Sequence, residues 1–165
     1  MSSEFLVDVF ELARRAAAVE GTLALAAAAR LRNGLRHAEG ALTFRLQGLH
    51  DARGRPAAVL TLRGTLPLVC DRCLQPLDMA LDHEATFFFV RSETELAELP
   101  VGDEPEEPLV GSRHFDVLAL VEDEAILCQP ISPRHAQCSP VSSQQQRVER
   151  SDSPFAVLTR LRHAR

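Results

Sequence analysis

The chain has 165 residues, 45% of them apolar, which is one domain's worth of sequence with enough apolar residues for a single core. Its eight phenylalanines are accompanied by no tryptophan or tyrosine, which argues against an aromatic stacking surface for single-stranded nucleic acid. The net charge of −5 is uneven, because residues 92–127 hold eleven acids and one arginine whereas residues 128–165 hold six arginines and two acids. This distribution suits contact with a basic protein better than contact with bare phosphate.

The chain start, "MSSEFLVDVFELARR", carries acidic residues early and lacks the continuous apolar core of a secretory signal. The alanine-rich run at 22–29 is also too short for a membrane span, which needs about 20 apolar residues. We therefore expect a cytoplasmic protein that does not contact membranes. Thiols are kept reduced in that compartment, so the four cysteines are expected to be thiols or metal ligands instead of disulfides.

The first two-thirds of the chain predicts mainly strands. Residues 10–18 favour a brief helix, and the alanine-rich stretch at 22–31 is interpreted as a strand, although alanine also favours helix. Apolar residues alternate along 41–49, and β character resumes along 57–69 and 77–90. The last two strands are separated by "VCDRCLQP", which therefore lies at the tip of a predicted β-hairpin.

The remaining chain predicts loops and helices. Residues 92–108 are rich in acids and are expected to form an acidic loop. A helix is predicted over 116–127, with Asp116 as its N-cap and Pro130 after its end. Residues 139–153 are rich in serine and glutamine, which is typical of a flexible linker, and 154–165 predicts a short C-terminal helix.

Together these elements predict an α+β fold. We expect an antiparallel sheet, open or barrel-like, from roughly 20 to 90, with a few short helices packed on it. The domain is expected to span residues 1–138, followed by the linker and the terminal helix.

Four side chains form a candidate zinc site. Cys70 and Cys73 are separated by two residues, and His135 and Cys138 repeat that spacing some sixty residues later. Three thiolates and one imidazole are a known tetrahedral zinc set, and a site closed by four protein ligands is structural instead of catalytic. Under the competing interpretation, Cys70 and Cys73 are small apolar residues and His135 caps a turn. Cys128, at a helix end, is interpreted as a buried thiol.

A redox function for the cysteine pair is the weaker alternative. A thioredoxin-like pair lies at a helix N-terminus, where the helix dipole lowers the thiol pKa. Here the two cysteines lie between strand-like segments, which does not provide that environment.

The acidic run Glu122, Asp123 and Glu124 lies on the predicted helix 116–127. Consecutive helical residues point about 100° apart, so the three carboxylates do not converge on one point as paired acid–base catalysis requires. A solvated face or a docking surface for a basic partner is expected there. The sequence contains no serine nucleophile elbow, glycine-rich phosphate loop or HExxH motif. We therefore expect a protein that is not an enzyme and has no small-molecule substrate.

The motifs in order resemble the YceD family, the proteins named for large ribosomal RNA subunit accumulation. "CDRCLQPL" is followed by the acidic segment, by "FDVLALVEDEAILCQPISPRH" with a trailing cysteine, and by "SPFAVLTRL". The resemblance implies a non-enzymatic cytoplasmic factor that supports accumulation of 23S ribosomal RNA and assembly of the large subunit. Its matching positions include Cys70, Cys73, His135, Cys138, Glu122, Asp123, Glu124, Pro154, Phe155 and Leu158.

We expect this factor to act by binding a ribosomal protein or a ribosomal RNA precursor. Two groups are the predicted contact residues, the acidic run Glu122–Glu124 and the terminal residues Pro154, Phe155 and Leu158. The alternative is a zinc-bearing protein-interaction module that is unrelated to ribosomes.

Overall fold

A computed structural model of the protein describes residues 5–99 and 106–140. These residues form seven strands, three α-helices and a 3-10 helix. In chain order they are β1 (Leu6–Val7), α1 (Val9–Arg14), β2 (Ala18–Ala24), the 3-10 helix (Leu31–Gly34), β3 (Ala41–His50), β4 (Pro56–Val69), β5 (Pro76–Val90), α2 (Glu93–Ala97), β6 (Glu107–Val110), β7 (Phe115–Asp116) and α3 (Val117–Leu127).

The main sheet has five strands in the order β2-β3-β4-β5-β6. Strands β2 to β5 are antiparallel neighbours, whereas β6 runs parallel to β5. Strands β1 and β7 form a separate antiparallel pair. The predicted α+β class with an antiparallel sheet is confirmed. Within the described ranges β2 and β6 do not pair with each other, so the sheet is open and not a closed barrel.

The core lies where the alternating residues of the central strands meet the helices. Leu42, Phe44 and Leu46 of β3 are buried while their neighbours are exposed, as the alternation predicts. Val9 and Leu12 of α1 and several residues of α3 are buried in the same cluster. The buried residues of α3 are Val117, Leu120, Val121, Glu124 and Ala125.

Strands β4 and β5 form a long hairpin that projects beyond β3. Their register runs without a break from Ala57 opposite Phe88 to Val69 opposite Pro76. Strand β3 pairs only with Pro56 to Arg63 of β4, so the outer part of the hairpin lies beyond it. The two cysteines of "VCDRCLQP" follow β4 at the tip, as the sequence predicts.

Three predicted elements differ from the structure. Of the stretch 22–31, which we interpreted as a strand, only residues 22–24 belong to β2, and a 3-10 helix begins at Leu31. The helix expected over 10–18 ends at Arg14, because Ala16 adopts a left-handed conformation (φ 47°) and the chain then enters β2. The stretch 92–108, which we expected to be an acidic loop, contains α2 and the beginning of β6. Helix α3 matches its prediction closely, since the backbone N–H of Ala119 donates to the cap residue Asp116 at 3.0 Å.

Most of the predicted linker at 139–153, and all of the predicted helix at 154–165 with Pro154, Phe155 and Leu158, lie outside the described residues. Within the described ranges, no helix has the length and apolar character needed to cross a membrane.

Candidate metal centre

The first half of the candidate site is the turn between β4 and β5. The backbone N–H of Leu74 donates to the carbonyl of Cys70 at 2.8 Å, and the N–H of Cys70 donates to the carbonyl of Gln75 at 2.9 Å. Leu74 adopts a left-handed conformation (φ 57°), which is uncommon for a residue with a bulky side chain. This tight turn places the Cys70 and Cys73 side chains on the same side of the hairpin tip.

The second half is the segment that follows α3. Residues 131–140 form no helix or strand, and hydrogen bonds attach them to the hairpin tip. The N–H of Asp71 donates to the carbonyl of Pro133 at 2.8 Å, and the guanidinium of Arg72 donates to the carbonyl of Cys138 at 3.4 Å. These contacts bring His135 and Cys138 to the two hairpin cysteines.

The four side chains form a group of the size that a metal ion requires. The candidate ligand atoms of Cys70, Cys73, His135 and Cys138 all lie within 4.8 Å of one another. The sulfurs of Cys70 and Cys138 are 3.8 Å apart, and the sulfur of Cys73 is 3.4 Å from Nδ1 of His135. A zinc tetrahedron with bonds of about 2.3 Å to sulfur and 2.0–2.1 Å to nitrogen has edges of roughly 3.8 Å and 3.5 Å. The donor set therefore fits zinc in both chemistry and spacing.

The ring of His135 is oriented for metal binding through Nδ1. Its Nε2 lies 3.0 Å from the carbonyl oxygen of Pro76. Since a carbonyl only accepts hydrogen bonds, Nε2 must carry the hydrogen and donate it, which leaves the lone pair on Nδ1. Histidine ligands in metal sites commonly have their second nitrogen fixed in this way.

The sulfur of Cys70 is held in an environment that favours the thiolate. Burial pushes the pKa of the Cys70 thiol upward, but backbone N–H groups that donate to the sulfur outweigh burial and lower this pKa to about 5. These donors belong to Cys73, His135 and Arg72. Burial and the neighbouring Cys70 and Cys73 sulfurs raise the pKa of Cys138. The thiolate is thus favoured at Cys70, whereas the thiol of Cys138 must lose its proton when a cation binds.

The arrangement suits a structural metal better than the redox alternative, which only the lowered pKa of Cys70 favours. A zinc ion bound by these four side chains would have no position left open for a substrate or a reacting water. The cysteine pair lies between two strands and not at a helix N-terminus, and none of the four cysteines is in a disulfide. Cys128 lies outside the group, and burial raises its pKa.

Two carboxylates of the acidic run fasten α3 to the loop after β2. Glu122 accepts hydrogen bonds from the backbone N–H groups of Arg30 and Leu31, at 2.6 and 3.0 Å. The guanidinium of Arg30 forms ion pairs with both Glu122 and Asp123. The pKa of Glu122 is lowered, because the hydrogen bonds from Leu31 and Arg30 outweigh the opposing effect of burial. These two side chains therefore have a structural role, and their role in partner binding stays a prediction.

The third carboxylate, Glu124, is buried instead of solvated. It is 6% exposed and lies 3.2 Å from Nε2 of His83 on β5. Burial, assisted by the nearby Glu107, raises the pKa of Glu124, and the hydrogen bond to His83 opposes this shift. The pair lies at a cavity of about 630 Å³ between β5 and the C-terminal half of α3.

Comparison with known proteins identifies the family. The family described as "Large ribosomal RNA subunit accumulation protein YceD" matches residues 58–162. The chain belongs to the YceD family. A relative with the same description, from Haemophilus influenzae (strain ATCC 51907 / DSM 11121 / KW20 / Rd), is 31% identical over 120 residues, which cover 65% of this chain and 68% of the relative. No solved structure matches the chain.

The region matched to the YceD family contains the whole candidate metal group and the acidic run of α3. The recognition from sequence is therefore confirmed, and the family description assigns a role in accumulation of large-subunit ribosomal RNA. The strands β2 and β3 and helix α1 precede the matched region.

Sequence reasoning missed two partners of the acidic run. Arg30 lies at the end of an alanine-rich stretch, and nothing in its local pattern indicates an ion pair some ninety residues away. The burial of Glu124 could have been predicted, because residues 117, 120, 121, 124 and 125 form one helical stripe that is otherwise apolar. That stripe places Glu124 towards the core of this YceD protein, where a polar partner such as His83 is needed.

Replacing Glu124 with glutamine is expected to stabilise the protein at neutral pH. Because the pKa of Glu124 is raised, the folded protein binds this proton more tightly than the unfolded protein does. The stability gained from this protonation is complete below the unfolded pKa and is lost as pH rises through the folded pKa. Glutamine is neutral at every pH, so the free energy of unfolding at pH 7 should rise by roughly 1 kcal/mol. Urea unfolding of both proteins at pH 7 and pH 4 measures this.

The gain from Glu124→Gln should disappear at pH 4, where the wild-type carboxyl is protonated as well. If the variant is less stable than the wild type at pH 7, the ionised Glu124–His83 pair stabilises the fold and the assigned direction is wrong.

Proposed function

We propose that this YceD protein supports accumulation of 23S ribosomal RNA and assembly of the large ribosomal subunit without catalysing a reaction. It acts in the cytoplasm by binding a ribosomal protein or a ribosomal RNA precursor. The observation that carries the proposal is the family match over residues 58–162, the region that contains the candidate metal group. The four protein ligands leave no open position for chemistry, which supports a binding role.

The charge distribution favours a ribosomal protein over RNA as the direct partner. Ribosomal proteins that contact RNA are basic, and residues 92–127 of this chain carry eleven acids against one arginine. The exposed acids among them, which include Glu93, Glu95 and Glu98, would attract a basic protein and repel phosphate. Contact with RNA through the arginines beyond residue 128 is the alternative that the charge distribution favours less.

The metal centre is proposed to bind zinc and to shape the docking surface. Zinc bound there would join the segment after α3 to the hairpin tip, two parts of the chain that are distant in sequence. Large apolar side chains that are close to the ligands in sequence are exposed, namely Val69 and Leu74 on the hairpin and Ile131 on the segment. Exposed apolar groups that a local crosslink holds in place are typical of a protein interaction site.

Deletion of the gene tests the proposal in cells. We expect 23S ribosomal RNA to fall relative to 16S ribosomal RNA, and the large-subunit peak to shrink on a sucrose gradient, because subunits whose assembly is not supported are degraded. A plasmid copy of the gene should restore both, and tagged protein should co-purify with ribosomal protein or precursor RNA.

Unchanged 23S levels and a normal gradient would argue against the assignment. If the protein then still contained zinc, it would be a zinc-bearing interaction module with no ribosomal role.

A further inference from the structure

Strand β5 has an unpaired edge along most of its length. It is hydrogen-bonded to β4 from Pro76 to Phe88, but β6 pairs only with Phe87 to Val90. Within the described ranges, residues 77–86 therefore have no neighbouring strand on the side away from β4. An exposed edge of this length presents a row of free backbone donors and acceptors, which is a template for pairing with another strand.

The backbone groups at this edge follow from the hairpin register. The N–H of Cys70 donates to Gln75, so this pair is hydrogen-bonded across the hairpin. Hydrogen-bonded and non-bonded pairs alternate along an antiparallel ladder, and the register has no break. The odd-numbered residues from 77 to 85 consequently bond to β4. The N–H and C=O groups of Asp78, Ala80, Asp82, Glu84 and Thr86 point towards the free edge.

The cavity beside the Glu124–His83 pair forms a trough along this edge. Its volume is about 630 Å³, and it is lined by residues 79–86 of β5, by Leu127 and Cys128 at the end of α3, and by Glu124 and Glu107. Leu127 is 72% exposed, so one wall presents an apolar side chain to an incoming group. Glu107 opens strand β6, which occupies the same edge of β5 further along and therefore closes one end of the trough.

The charge around the trough is negative. Asp82, Glu84 and Glu107 are exposed and Glu124 is buried, and among the described residues that line the trough only the half-buried His83 can carry a positive charge. Asp82 forms an exposed ion pair with Arg63 at 3.2 Å. Glu84 and Glu107 have no cationic partner among the residues that the structure describes. Arginine or lysine side chains would complement both.

From these observations we infer that the trough binds an extended, arginine- or lysine-bearing segment of a protein partner, which adds to β5 as a further strand. Strand addition to an open sheet edge is a common mode of peptide recognition, in which main-chain hydrogen bonds provide affinity and alternate side chains provide specificity. In the added strand, alternate residues would face the apolar wall at Leu127, and the residues between them would lie beside Asp82 and Glu84. The preferred segment thus alternates apolar and basic residues.

This inference rests on the proposed function, which supplies a basic ribosomal protein as the source of the segment. The acidic trough argues against a nucleic acid as the occupant, because phosphate would be repelled. Two other occupants, the protein's own chain and the β5 edge of a second copy, are distinguished by the experiment.

Ala80→Pro is the variant that tests strand addition. Ala80 is exposed and its N–H faces the free edge, so proline removes one donor there and leaves the bonds to β4 in place. Ala80→Thr is the matched control, since it keeps the N–H and suits a strand. The probe is a capped octapeptide of alternating arginine and valine. Its controls are the glutamate–valine peptide and an arginine–valine peptide that is N-methylated at every residue, so that neither edge of it can donate a hydrogen bond.

We expect the arginine–valine peptide to bind the wild type and Ala80→Thr equally, and to bind Ala80→Pro about tenfold more weakly, because a blocked edge loses at least one hydrogen-bonded pair. Neither control peptide should bind. Hydrogen exchange of the segment 77–86 should slow when the peptide is added. The double variant Glu84→Gln with Glu107→Gln should also weaken binding, and it tests the charge requirement without altering the backbone.

The arginine–valine peptide could bind Ala80→Pro as tightly as it binds the wild type, or the N-methylated peptide could bind the wild type as tightly as the unmethylated peptide does. Either result would show that only charge attracts the peptide and would overturn strand addition. If these amides exchange slowly in the free monomer, the chain itself covers the edge. If the protein is a dimer and they exchange slowly there, a second copy covers the edge. Either result also overturns the inference. If the wild type and Ala80→Pro both co-purify with large-subunit particles to the same extent, the trough is not the docking site but the proposed function stands.

Discussion

Purified protein is expected to contain one zinc ion per chain, and the Cys73→Ser variant is expected to contain none. The four candidate ligand atoms already lie within 4.8 Å of one another, so binding requires little rearrangement. A serine hydroxyl is a poor zinc ligand, and three remaining ligands hold the ion far more weakly than four. Metal analysis of untagged protein by mass spectrometry, after dialysis against metal-free buffer, measures the stoichiometry.

Loss of the metal should also destabilise the protein. Zinc binding is coupled to folding wherever the site exists only in the folded state, and loss of a metal is among the few causes of large single-site effects. We expect the free energy of unfolding to fall by about 4 kcal/mol in Cys73→Ser. The segment 131–140 should become the first site of proteolysis, because the metal is its main attachment to the hairpin besides a few hydrogen bonds.

Cys128→Ser is the control for the metal experiment. Cys128 is partly buried at the end of α3 and lies outside the ligand group, so the substitution changes a thiol to a hydroxyl without removing a ligand. This variant should keep one zinc ion per chain and resist proteolysis like the wild type. Metal-free wild-type protein that unfolds as cooperatively as the zinc-loaded form would show that the four side chains pack without an ion.

The sequence predicted the features that depend on local pattern. Alternation in 41–49 identified β3, and the cap residue Asp116 with Pro130 beyond the end identified α3. The repeated two-residue spacing joined Cys70 and Cys73 to His135 and Cys138, because each pair can hold two metal ligands whatever the fold between them. For the two elements neighbouring residues carry the whole signal, and for the metal group the signal is one short spacing that occurs twice.

Features that depend on distant contacts were not predictable in this way. The parallel pairing of β6 with β5 leaves no trace in the sequence of either strand, since periodicity identifies a strand but not its neighbour. The contacts of Glu122 with Arg30 and of Glu124 with His83 join residues that are 92 and 41 positions apart. A charged run on a helix looks solvated until its partners are known, and only the helical stripe of α3 separates Glu124 from its neighbours.

The second large effect is expected from substitution of Gly48, a position whose importance could not be predicted from the sequence. It occupies a buried position in the alternating pattern of β3, where any small residue appears acceptable. A Cβ atom there would lie 2.5 Å from the carbonyl carbon of Leu12 and 2.8 Å from the nitrogen of Ala13, and closer still to the carbonyl oxygen of Leu12. The backbone of α1 thus rests directly on the backbone of β3.

Gly48→Ala is therefore expected to lower the free energy of unfolding by about 3 kcal/mol or more, at the upper end of overpacking effects, because backbone atoms cannot rotate away. Helix α1 has little freedom to move. Asp8 caps its start by accepting from Phe10 and Glu11 at 3.0 Å, and the side chain of Gln47 donates to the carbonyl of Ala16 beyond its end at 2.8 Å. Urea unfolding monitored by circular dichroism measures the loss.

Gly54→Ala provides the comparison, because it adds the same methyl group where no atom lies within 4 Å. Gly54 has a φ of +77°, so alanine there should reduce stability by only about 1–2 kcal/mol through backbone strain. The two variants therefore separate two causes of destabilisation, which are close approach of backbone atoms at Gly48 and conformational strain at Gly54. If Gly48→Ala unfolds at the same urea concentration as the wild type, α1 is not seated on β3 as described, and the attachment of the N-terminal elements to the sheet would have to be reassigned.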